Sequence, residues 1–303
     1  MHTFLQTIIN GLTIGSFYSL VALGYSMVYG VMKLINFAHG DLFTLGSYLA
    51  YSLLVWGSGF ISYTFGAWGG MVCAIIFAAI GTAAAGLIME RVAYRPVMPA
   101  GRLPLVVSAL GVSIVIQNGI MAIWGPSYQT FPAKTVPGEI IKIGGLQINS
   151  LQLFILILSI VLMILIYFFV EKTRLGAAVR ASALDRETAT LMGINYRAVI
   201  LLVFTLGPAL GGLAGVMNGM YYRTISFNMG WNYGLKSFTA TILGGIGNIP
   251  GAMIGGILLG ILESALACYV SSAWKDIFVF LVLILILIWR PTGLIGEKTA
   301  EKV

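Results

Sequence analysis

The chain has 303 residues, of which 59% are hydrophobic and only 9% charged, with a formal net charge of +7. A soluble domain of this size carries about 25% charged residues, so the composition excludes a water-soluble globular fold. The positive balance is not organised as a basic patch interleaved with aromatics, which excludes a nucleic-acid surface, and reads instead as Lys/Arg-enriched cytoplasmic loops of a polytopic membrane protein.

Apolar segments follow one another along the chain. The first runs from Phe4 to Met32 and the second from Asn36 to Trp56. The third covers Trp68 to Met89 and ends at a polar cluster, Glu90–Pro96, read as the start of a loop with Glu90 and Arg91 as an interfacial anchor. Leu103–Trp124 and Leu151–Val170 are the fourth and fifth. A charged island, Glu171–Arg197, separates them from Ala198–Tyr222, from a long stretch Leu235–Val270, and from Ile277–Trp289. The long stretch contains Gly244-Gly245-Ile246-Gly247-Asn248-Ile249-Pro250-Gly251, and clustered Gly and Pro break helices, so it reads as two helices joined by a turn. The expected fold is therefore all-α: one helical membrane bundle over 1–303, with eight or nine segments at roughly 20 residues each.

Basic residues orient the segments. With Lys33, the Glu90–Arg102 loop, the island and the C-terminal tail in the cytoplasm, 12 of the 17 Lys and Arg lie inside. Lys134, Lys142, Arg223, Lys236 and Lys275 then lie outside, as does the N-terminus. No Lys or Arg precedes Lys33, so the first segment reads as a membrane helix, not a cleavable leader. Cys73 and Cys268 sit in apolar runs without metal-ligand spacing and read as buried, unpaired packing residues.

The polar residues inside this apolar chain are few. Asn36, His39 and Asp41 lie in one turn between two spans, and an ionisable group within a membrane is a functional candidate by default. Asn36 as a helix cap and Asp41 in a first helical turn account for the same residues structurally. Glu263 is the most isolated acid and needs a basic partner, hydration or a place on the pathway. Asn36-Phe37-Ala38-His39-Gly40 is echoed by Asn248-Ile249-Pro250-Gly251, which adds Asn248 to the candidate translocation pathway. Gln117, Asn118 and Asn218 read as amides joining helices. No catalytic constellation is present: there are two histidines, and neither G-x-S-x-G nor H-E-x-x-H occurs. No G-x-x-x-x-G-K-[ST] occurs either, so any ATP is bound by another subunit.

The island holds five basic and three acidic residues around Ala181–Gly193, which has helical propensity and stops at glycine. Asp185 falls near the start of that expected helix. Ala189 with Met192, and Leu184 with Leu191, suggest one apolar face. The island reads either as an amphipathic loop on the membrane or as a helix docked on a cytoplasmic partner.

Six stretches resemble the membrane permease subunits of bacterial branched-chain amino acid ABC importers. They are GSFYSLVALGYSMVYG (15–30), INFAHG (35–40), ERVAYRPV (90–97), MGIN (192–195), LGGIGNIPGAMIGG (243–256) and PTGL (291–294). The resemblance implies that the island couples to an ATPase through Ala183, Asp185, Glu187, Ala189 and Gly193. It also implies a second related permease, two ATP-binding subunits, a periplasmic solute-binding protein and a place in the bacterial inner membrane. The nearest alternatives are a urea or short-amide importer of the same architecture, and a self-sufficient channel or ion-coupled carrier using His39, Asp41 and Glu263.

Overall fold

A computed structural model describes residues 2–132, 136, 138–143, 146–290 and 292–295. Lys134, Pro291, Lys298 and Lys302, which entered the orientation and motif readings, lie outside the described residues. The described chain is built from helices: α1 (His2–Met32), α2 (His39–Trp56), α3 (Ser58–Met89), α4 (Arg102–Trp124), α5 (Ser150–Lys172), α6 (Arg174–Leu184), α7 (Arg186–Leu191), α8 (Tyr196–Tyr222), α9 (Met229–Gly244), α10 (Ile249–Tyr269) and α11 (Lys275–Trp289). Among the described residues, six helices are long and apolar enough to cross a membrane: α1, α3 from Gly66 through Tyr94, α4, α5, α8 and α10.

The ends of these helices follow local chemistry. Asn149, Thr173, Asp185, Asn195 and Asn248 each accept a backbone N–H at the start of α5, α6, α7, α8 and α10 respectively, satisfying donors that a helix cannot pair internally. Pro250 fits the first turn of α10, where no N–H is required. The Gly/Pro break is thus real, with α9 ending at Gly244 and α10 beginning at Ile249.

Two expectations are corrected here. The cluster after Met89 is not a loop: the helix continues through a π-helical turn, Glu90–Tyr94, in which Glu90 is buried and its Oε1 accepts from Arg95 Nε at 3.2 Å. A charge-assisted bond five residues along pairs one carboxylate oxygen, while Oε2 is buried without a partner among the described residues. The bundle also carries two short antiparallel ribbons. β1 (Gln129–Thr130) pairs with β4 (Thr224–Ile225), and β2 (Ile140–Ile143) pairs with β3 (Leu146–Asn149).

α1 is the central helix, packed mainly on α10, α8 and α9. Small residues make this possible: a Cβ added at Gly11 would lie 2.7 Å from Ile261 Cα, and one at Gly15 would lie 2.8 Å from Ile257 Cα. Such spacing brings two backbones together where no side chain fits, which is how helices associate without a hydrophobic driving force. α4, α5 and α11 lie at the periphery. Val279 is the one fully covered side chain on α11 among the described residues.

Both ends of the bundle are polar, and they differ. One gathers the α6–α7 island, Lys33, the α9–α10 turn and the segment 292–295. There Leu294 and Ile295 N–H donate to the Leu243 and Gly244 carbonyls, and Asn248 Nδ2 donates to the Ile295 carbonyl at 3.0 Å. The other end carries the β2–β3 hairpin, strapped to α1 by reciprocal bonds between the Gln6 side chain and the Gln147 backbone at 3.0 and 3.1 Å.

Candidate functional site

Residues 34–38 do not turn at the surface. The His39 ring lies beside Gly24 and Gly211, and Gly40 lies against Gly230 and Gly234. Gly24 is eight residues from the end of α1 and Gly211 is fifteen from the start of α8, so α2 begins about 12–22 Å inside the bundle. Non-helical backbone at that depth is tolerated only inside protein or beside a cavity. Asn36 is 1% exposed and His39 0%.

The three polar side chains of this turn have different surroundings. Asn36 Oδ1 accepts the Ala38 N–H at 3.0 Å and the Tyr94 hydroxyl at 2.7 Å. It therefore closes its own turn and ties it to the π-helical segment, and it does not cap α2. The Asp41 carboxylate sits in the first turn of α2 and reaches α4, accepting from Ser113 Oγ at 2.5 Å and Gln117 Nε2 at 2.9 Å. The His39 ring packs edge-on against Tyr25 at 4.6 Å, and neither nitrogen makes a hydrogen bond of good geometry among the described residues. Gln117 joins helices as expected. Asn118, by contrast, is exposed and donates to Ile114 on its own helix, whereas the Asn218 side chain on α8 hydrogen-bonds Tyr233 of α9, with Oδ1 left without a partner among the described residues.

Glu263 stands elsewhere and is fully engaged. Its Oε2 accepts from Tyr18 at 2.5 Å, while Oε1 takes Lys236 at 2.8 Å and Lys275 at 3.1 Å. Lys236 also reaches Asp276 at 2.7 Å, so two acids and two bases cancel. This network forms part of a cleft of about 870 Å³ at the N-terminal end of α1, shared by Asn10, Gln152 and Lys275. Cys268, expected to be buried, is exposed beside this cleft, because α10 ends one residue beyond it. Asn248 lies fifteen residues from Glu263, about 22 Å along α10, and serves as a cap at the opposite end. The five pathway candidates therefore fall into three places: the deep turn, the α10 cap and the ion network.

The island is two helices, where a single helix was expected. Asp185 is extended (φ −149°, ψ 111°) and ends α6; its Oδ1 accepts the Glu187 and Thr188 N–H groups and its Oδ2 the Thr188 hydroxyl at 2.6 Å. The cap signal was readable in Asp185-Arg186-Glu187-Thr188 but was overridden by the Ala-rich run. α7 then stops at Gly193 (φ +85°), where Gly193 N–H donates to Thr190 and Ile194 N–H to Ala189, a Schellman closure that requires the left-handed conformation. Nor is the apolar face continuous. Ala189 is 5% exposed and packs inward, whereas Leu184, Leu191 and Met192 are 83%, 87% and 80% exposed. Ala183 lies against Gly30 at the end of α1, and Glu187 is exposed in the first turn of α7. The corner is thus seated on the bundle by Ala183 and Ala189 and presents Leu184, Leu191 and Met192 outward.

Comparison with known proteins agrees with this architecture. A family described as "Branched-chain amino acid transport system / permease component" matches residues 7–287. The chain is 40% identical over its whole length to the high-affinity branched-chain amino acid transport system permease protein BraD of Pseudomonas aeruginosa, covering 99% of that protein. It is likewise 40% identical over 99% of its length to LivH of Escherichia coli K12, covering 98% of it. In fold, it resembles a metal-chelate type ABC transporter solved in an inward-facing conformation, with a TM-score of 0.52, 17% identity, and coverage of 94% of this chain and 85% of that one. A multi-pass helical chain that shares two fifths of its residues with such permeases from end to end belongs to the branched-chain amino acid transport permease family.

Proposed function

We propose that this chain is a permease subunit of an ATP-driven importer of leucine, isoleucine and valine in the bacterial inner membrane. The observation that carries the reading is the full-length 40% identity to two permeases named for branched-chain amino acid transport. On this reading the whole chain is one domain with eight to nine membrane segments, its N-terminus outside and its island inside. ATP is bound by two partner subunits, a second related permease completes the passage, and a periplasmic solute-binding protein delivers substrate to the outer face near the α1–α10 cleft.

The α6–α7 corner is the coupling element, with Ala183 and Ala189 seating it, Asp185 and Gly193 shaping it, and Glu187 on its exposed side. Its three exposed apolar side chains support docking, since large apolar groups displayed in water are ordinarily covered by a partner. Coupling requires only that the ATPase contact the corner differently in two states of the bundle. The deep turn of Asn36, His39 and Asp41 is our choice for the pathway wall, because it sets ionisable and amide side chains at membrane depth among irregular backbone. Glu263 and Asn248 hold helices together and act on the pathway through that role alone.

The test is uptake of radiolabelled leucine into proteoliposomes, with and without the partner ATPases, second permease, binding protein and ATP. Gly193→Arg runs alongside at matched assembly, and labelled urea serves as a control. Uptake that needs the full set and is lost in the variant is expected. Uptake by this chain alone would refute the importer reading, and ATP-dependent uptake of urea but not leucine would overturn the substrate.

A further inference from the structure

A recess of about 360 Å³ lies where the end of α1, the start of α4 and the α6–α7 corner converge. Lys33, Arg102 and Arg186 contribute to its wall, together with Asp185, Met98 and Leu105. Three cations therefore face one carboxylate, and that carboxylate already accepts two N–H groups and a hydroxyl as the cap of α7. We infer that this recess holds the phosphate of an anionic phospholipid, bridging the coupling corner to α4.

Four observations converge on that occupant. Ser182 also borders the recess, is 3% exposed, and its hydroxyl has no hydrogen-bond partner among the described residues. Lys33 is held at φ +52°, a left-handed conformation that a lysine rarely adopts and that places it at the mouth of the α1–α2 turn. The Arg186 guanidinium is fixed over the Tyr196 ring at 4.3 Å, while the Tyr196 hydroxyl bonds the Val31 carbonyl. Finally, the recess is amphipathic: Met98 and Leu105 line it, and Leu103, next to Arg102 in the chain, is 75% exposed. Basic side chains between helix ends with an apolar flank are suited to a lipid headgroup and the first carbons of its chains. An acidic side chain of a partner would satisfy the cations but leave the apolar flank uncovered.

The inference rests on the membrane placement of the chain, not on its substrate. The experiment uses the assembled complex in phosphatidylcholine nanodiscs containing a minor fraction of phosphatidylglycerol, with retained lipid read by native mass spectrometry. Wild type should retain phosphatidylglycerol, and each cation removed in Lys33→Gln and Arg102→Gln should cut retention roughly fivefold. The charge-conserving Arg102→Lys should keep most of it, at an unchanged melting midpoint. Equal retention in wild type and the double Gln variant would overturn the proposal. So would protection by inorganic phosphate in pure phosphatidylcholine discs, which would make the ligand soluble. Loss of ATPase association in the double variant with lipid retention intact would reassign the recess to a protein contact and overturn it equally.

Discussion

At the scale of single residues, buried charge decides most. Glu263 is 3% exposed and survives because three donors surround it, from helices α1, α9 and α11. Removing one partner of a buried pair leaves the other desolvated, at about 3–5 kcal/mol. Lys236→Ala should therefore destabilise the folded chain by roughly 3 kcal/mol. Lys275, whose side chain is 31% exposed, should cost less than about 1 kcal/mol when replaced by Ala. Denaturant unfolding in micelles compares the two, and equal losses would contradict the ranking. Glycines offer a second contrast. A Cβ at Gly40 would be driven into the Gly230 carbonyl and lie 2.9 Å from Gly234 Cα, whereas one at Gly111 meets nothing within 4 Å. Gly40→Ala should abolish transport by forcing α2 from α9, while Gly111→Ala leaves folding intact, as size-exclusion profiles and uptake would register.

Among the elements, the α6–α7 corner is the most dependent on local chemistry. α7 has six residues, too few to be stable as a helix in water by itself, so its caps carry it. Losing an N-cap costs about 1 kcal/mol. Asp185→Ala should therefore unwind α7 and reduce ATP-driven uptake, whereas Asp185→Asn keeps an acceptor and should retain most activity. Similar loss in both variants would mean that the charge matters and the cap does not. Much of this element was legible in the sequence. The helical propensity and the glycine stop of the island were there to be read, because they depend on neighbours within a turn. The break at Asp185 was equally local but was outweighed by the surrounding alanines. The inward turn of Ala189 and outward display of Leu191 were not legible, because they depend on where the bundle lies beneath the corner.

For the whole molecule, the question is what covers its outer faces. α11 is barely packed on its own chain, and α4 is joined to the interior chiefly through Asp41, the Ser108 bond to the Ala93 carbonyl, and the Trp124 bond to Ser52. Helices held this loosely are expected to gain contacts on assembly, and binding to the folded state alone raises stability by mass action. The melting midpoint of this chain should rise when the proposed second permease is co-purified with it. An unchanged midpoint would assign these faces to lipid.

The amino-acid sequence by itself determined that this is a multi-pass helical membrane protein, that a Gly/Pro turn divides residues 235–270 into two helices, and what family it belongs to. Those features follow from local composition and from hydrogen bonds spanning a few residues. Only the tertiary structure decided that residues 34–38 descend into the bundle, that Asp41 holds α4, and that Glu263 meets Tyr18 from a position 245 residues away. Each of those depends on which helices approach closely enough for their backbones to touch. That choice is made by the fit of small residues on separate helices, and no single segment carries it.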